Sequence, residues 1–161
     1  MKKLLLLLCF AASTAHAQEK WETDYSISGY QIAKITNAED SAAGLICNVS
    51  NQACDAYLVT DTSCKEKALY PIMINSPLGA FAISGKCLTV GNTQLLVIVE
   101  KESAIEAFRS GGEIGFAIPM ASGAFMVFRF STVGAAAAIE AARTMPSRKT
   151  PKAKTRSVET L

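Results

Sequence analysis

At 161 residues, half of them hydrophobic and with a formal charge of +2, the chain has room for one domain with a buried core. The near-neutral total hides two unlike parts: residues 18–142 hold 8 Lys and Arg against 13 Asp and Glu, and residues 143–161 hold 6 against one. An acidic body with a short basic appendage excludes a chain built as a whole around a nucleic-acid backbone.

Residues 1–17 have the three parts of an export signal. Met1-Lys2-Lys3 is the basic start, residues 4–12 are the apolar run, and Ala15-His16-Ala17 is a small-x-small cleavage site. The run is shorter than the ~20 residues needed to span a bilayer, so no integral membrane span is expected after cleavage behind Ala17. Cys9 lies within the leucines without a small residue before it, which argues against lipidation. Cleavage removes His16, the one histidine, and leaves four cysteines: Cys47, Cys54, Cys64 and Cys87. An even number in a small exported domain indicates disulfides. Of the three possible connectivities, Cys47–Cys54 suits the arms of one hairpin, which leaves Cys64–Cys87. The competing reading, a metal site, has neither a CxxC pair nor a histidine behind it.

In chain order, residues 18–40 open polar and then alternate weakly through Trp21, Tyr25, Ile27, Tyr30, Ile32 and Ile35, which predicts an edge strand or two with a bend at Gly29. Trp21 is expected as a core or rim anchor. Residues 44–49 and 53–60 predict a hairpin across Ser50-Asn51-Gln52, flanked by Cys47 and Cys54. A polar loop at 61–67 carries Cys64. The apolar strand at 68–74 contains Pro71, which should push it to an edge or a bulge. The chain turns at Asn75-Ser76-Pro77, returns over 78–84, closes the unit at Gly85-Lys86-Cys87, and turns again over 88–92. Residues 94–99 form the most apolar strand and are expected in the middle of the sheet.

Ser103-Ala104-Ile105-Glu106 matches a capping box for a short helix ending at Arg109 or Ser110 and stopped by Gly111-Gly112. Two strands follow at 113–119 and 124–130, joined by Ala121-Ser122-Gly123, with Phe125, Val127 and Arg129 alternating against Met126, Phe128 and Phe130. Ser131 is the expected N-cap of an alanine-rich helix over 133–145, ended by Pro146. Residues 143–161 lack any hydrophobic period and are expected to form a disordered basic tail. Its cations Arg148, Lys149, Lys152, Lys154 and Arg156 suit an anionic surface or an envelope protein.

Absences narrow the chemistry. Without a histidine in residues 18–161, Ser–His–Asp and Cys–His catalysis and histidine zinc sites have no bearer. Gly111-Gly112-x-x-Gly115 stops a helix before a strand, the wrong order for cradling a phosphate. The acid pairs Glu39-Asp40 and Glu100/Glu102 fall on turns or strand ends and are expected as solvated surface. Arg129 on its apolar strand is expected to pair with Glu113 across the hairpin. No catalytic residue, cofactor or metal is expected.

The block from Ala104 through Arg109-Ser110-Gly111-Gly112, a strand, a small turn, a second strand and Phe130-Ser131-Thr132-Val133-Gly134 before the alanine-rich helix resembles the invasion-associated locus B family of exported bacterial proteins. The export signal, the early Trp21 and the paired cysteines fit the same picture. The resemblance implies a periplasmic or surface-associated β-rich domain, linked in some pathogens to host-cell invasion, and supplies no catalytic residue.

The expected fold is mainly β: a single sandwich-like domain of seven or eight strands with a short helix, a C-terminal helix and two disulfides. The expected function is that of an exported, non-enzymatic binding or adaptor protein of the cell envelope, tethered by its tail. The alternative is a small periplasmic inhibitor or accessory subunit of a secretion or envelope complex, inserting the segment from Ser76 to Cys87 through Leu78 and Phe81.

Overall fold

A computed structural model describes residues 20–27 and 29–144. In chain order the elements are β1 (Glu22–Ile27), β2 (Tyr30–Thr36), β3 (Ala42–Asn48), β4 (Cys54–Val59), β5 (Leu69–Ser76), β6 (Gly79–Val90), β7 (Thr93–Ile98), α1 (Lys101–Arg109), β8 (Glu113–Pro119), β9 (Phe125–Ser131) and α2 (Ala135–Thr144). The fold is mainly β, as expected, and its nine strands form one antiparallel sheet in the order β1-β2-β3-β4-β7-β6-β5-β8-β9. The sheet curls: β9 comes near β2, and the Trp21 indole N–H donates to the Ser131 carbonyl at 2.8 Å.

Alternation decides which face is inside. Ala33 and Ile35, Ala43 and Leu45, Ala56 and Leu58, Ile72 and Ile74, Leu96 and Ile98 all point to one side and are buried. Both helices cover that side. α1 buries Ala104, Ala107 and Phe108, and α2 buries Ala135, Ala138, Ile139 and Ala142, a stripe at helical spacing small enough for close approach to β1, β2 and β3. Four rings run through the interior in sequence, Trp21 to Phe108 to Phe116 to Phe130, with centroids 5.5, 5.9 and 6.0 Å apart.

The two disulfides are Cys47–Cys54, directly opposite each other in the β3–β4 ladder, and Cys64–Cys87, fastening the β4–β5 loop to β6. They mark an oxidising, extracytoplasmic environment. No helix among the described residues is long and apolar enough to cross a membrane.

Several local expectations differ from the structure. β6 does not close at Gly85-Lys86-Cys87 but runs on to Val90 as a 12-residue strand. Gly85 serves packing there rather than a turn, since a Cβ at that position would lie 2.6 Å from Ile72 Cδ1. β5 is an interior strand despite Pro71. Its β8 ladder covers Met73 to Asn75 and leaves Pro71 paired on the β6 side alone, so the missing N–H costs no ladder bond there. α1 starts at Lys101, so Ser103 lies inside the helix; Glu100 occupies the N-cap without a side-chain cap bond, and its carboxylate accepts the Ser84 N–H at 2.7 Å instead. Ser131 caps the turn ahead of α2, accepting the Val133 N–H, while the helix begins at Ala135. The residues 145–161, with the whole basic tail beyond Thr144, lie outside the described residues, as do residues 1–19.

Candidate apolar recognition surface

On the outer face the strands β5, β6, β8 and β9 present side chains that no helix covers. The ladders set Ala80 and Ala82 on β6 against Asn75 and Met73 on β5, these against Gly115 and Ala117 on β8, and these against Arg129 and Val127 on β9. Small residues in the middle and large ones at the margins make a shallow groove of about 520 Å³, floored by Gly115, Ala117 and Ala80 and walled by Met73, Phe125 and Val127. Phe125 is 55% exposed, Val127 52% and Met73 47%. Large apolar side chains clustered at that exposure are uncommon on a solvated monomer surface and mark interaction sites.

Arg129 closes one end of the groove. Its guanidinium bonds Glu113 at 2.8 Å, the cross-strand pairing expected from the sequence, with both side chains well exposed. In solvent such a pair contributes little to stability, about 0–1 kcal/mol, so its main effect is to fix the Arg129 side chain at the rim. The Thr62 hydroxyl reaches Met126 Sδ at 3.7 Å, while Phe125 and Val127 on the other side of β9 stay exposed.

A larger cleft of about 700 Å³ lies beside α1, lined by Gln52, Lys101, Glu102, Glu106, Arg109 and Arg143 among others. Its charges are mixed. Lys101 is tied to Asp55 at 3.0 Å, and that hydrogen bond raises the Lys101 pKa above its ordinary value. Cations and acids alternate there instead of converging, so the cleft has no single ligand chemistry.

The acids singled out in the sequence are dispersed. Glu39 and Asp40 sit in the β2–β3 turn, and Glu100 and Glu102 at the start of α1, all exposed. Among the described residues no three His, Cys, Asp or Glu side chains gather as a metal site. Leu78 stands 59% exposed at the tip of the β5–β6 hairpin. Phe81 lies opposite Ile74 on the core side and is half-buried against the core, so the structure does not bring the two together. The segment between them is strand built into the sheet rather than a free loop. Arg148, Lys149, Lys152, Lys154 and Arg156 fall outside the described residues.

Met73, Phe125 and Val127 were not singled out as site residues by sequence. The alternation in Phe125-Met126-Val127-Phe128 was visible, but either set could have faced the core; the helices fall on the Phe128 and Phe130 side and leave the other bare. No family model matches the chain, and no match was found among curated proteins or solved structures.

Proposed function

We propose that this is an exported, non-enzymatic binding or adaptor protein of the bacterial envelope, as its resemblance to the invasion-associated locus B proteins implies. In this reading the folded body recognises a protein partner through the apolar outer face of β5, β8 and β9, and the basic tail holds the body to an anionic envelope surface. The observation that carries the reading is the exposed trio Met73, Phe125 and Val127 around a floor of small residues. Supporting it are the signal-like first 17 residues, the two disulfides and the charge contrast between body and tail.

A second reading, an inhibitor or accessory subunit, is favoured by one feature, the exposed Leu78 at a hairpin tip. The two differ in where binding is lost. Envelope crosslinking of the secreted chain is compared with a form ending at Ala142, with Val127→Glu and with Leu78→Ser, at low and high salt. The adaptor reading expects salt-sensitive retention to vanish with the tail and partner crosslinks to vanish with Val127→Glu. Loss with Leu78→Ser alone would replace it with the inhibitor reading, and full capture by all three variants would overturn both.

A further inference from the structure

The two edges of the sheet are built differently. β1 carries exposed Glu22 and Asp24, and its ladder with β2 shifts register between Asp24 and Ile27. Charge and a bulge are the usual devices that keep an edge strand from pairing with another chain. β9 has no bulge and a single charge, Arg129: its ladder with β8 runs unbroken from Glu113↔Ser131 to Pro119↔Phe125, and the sequence Phe125-Met126-Val127-Phe128-Arg129-Phe130 is otherwise uncharged and without proline. Among the described residues the backbone of Phe125 to Phe130 pairs with β8 alone. A regular, mostly apolar edge without a bulge or a proline is a template for another strand.

We infer that the strand it takes is β9 of a second copy of this chain, antiparallel about a two-fold axis at Val127. This assignment rests on the reading of that face as a protein-binding surface and names its partner. The evidence is in the strand's own order of residues. An axis at Val127 sets Val127 opposite its counterpart, a β-branched pair. It sets Phe125 opposite the second copy's Arg129, a guanidinium within reach of an aromatic face. On the inner side it sets Met126 opposite the second copy's Phe128, sulfur against a ring. The two arginines then lie four residues apart along the ladder, about 14 Å, whereas an axis at Arg129 would oppose them directly. Pairing would join two nine-stranded sheets and give the exposed Phe125 and Val127 cross-strand neighbours on the outer face. It would also place two basic tails on one particle, so that each strengthens the anchoring of the other through effective concentration.

The test uses the secreted chain with both disulfides intact. Sedimentation equilibrium is expected to show a dimer at about 100 μM, with Val127→Glu weakening self-association roughly 30-fold or more. Val127→Cys, which preserves size and polarity well enough to fold, is expected to form a covalent dimer on mild oxidation, since the two thiols meet on the axis. Asp24→Cys on the guarded edge is expected not to. A chain that stays monomeric overturns the assignment, as does a dimer that survives Val127→Glu or fails to crosslink through position 127. Failure of the dimer is distinguishable from failure of the proposed function: a monomer whose envelope crosslinks still vanish with Val127→Glu keeps the surface and loses the second copy.

Discussion

The indole N–H of Trp21 donates to the carbonyl of Ser131 across 110 positions of sequence, fastening the start of β1 to the end of β9. These are the two edge strands of the sheet, and Trp21 also packs edge-on against Phe108 with centroids 5.5 Å apart. One side chain therefore links both ends of the sheet to the helix layer between them. Trp21→Phe keeps a ring but removes the donor, and a lost buried hydrogen bond with the accompanying packing defect costs about 1–3 kcal/mol. Trp21→Ala is expected to cost more, about 3–5 kcal/mol. Urea unfolding followed by circular dichroism reads both; an unchanged midpoint for Trp21→Phe would show that the sheet closes without this bond.

The disulfides are expected to differ in access. Cys47 and Cys54 are both buried, whereas Cys64 is half-buried in the β4–β5 loop. Under native conditions a thiol reductant should open Cys64–Cys87 before Cys47–Cys54, because exchange requires a path to a sulfur. Removing Cys64–Cys87 should lower stability by about 3 kcal/mol from the loop it closes. Timed alkylation with peptide mass mapping gives the order, and simultaneous loss of both bonds would contradict it.

Tyr57 carries a pH dependence. It lies directly between Gly44 on β3 and Val97 on β7, only 7% exposed, and burial pushes its phenol well above the ordinary value of about 10. The unfolded chain therefore loses this proton at lower pH than the folded one. Stability from this group is complete below about pH 10 and declines as pH rises beyond it, by up to about 1.4 kcal/mol per pH unit. Tyr57→Phe should flatten that decline. Comparing urea midpoints of the two proteins at pH 9 and pH 11 isolates the effect from the other tyrosines and the lysines, and parallel losses would remove Tyr57 as its source.

Gly44, opposite Tyr57 in the β3–β4 ladder, is set by tertiary packing. A Cβ at position 44 would collide with the Ala33 carbonyl and lie 2.8 Å from Lys34 Cα, so β2 and β3 approach there as no larger residue permits. Nothing in the local pattern of Ala42-Ala43-Gly44-Leu45 announces that approach, because it depends on the curl of the whole sheet.

Local chemistry was enough for much of the rest. An apolar run placed β7 and period-two alternation placed β8 and β9 within a residue or two, Gly111 ended α1 with a positive φ of 79°, and hairpin spacing paired Cys47 with Cys54. These features depend on neighbours in sequence, on the two-fold pleat and on backbone sterics, all of which can be read from the chain itself. Alternation assigns side chains to two faces without saying which is inside. That choice was made by α1 and α2 settling on the Phe116 and Phe130 side, which buried one set of β9 residues and left Phe125, Val127 and Arg129 in solvent. Strand order was likewise tertiary: it made β5 interior despite Pro71, and it left the backbone of Phe125 to Phe130 at an edge, paired with β8 alone. Burial and edge position are properties of contacts between segments distant in sequence, so the sequence by itself determined the elements and their staples, and the packing of helices on a curled sheet decided which side of each strand is left exposed.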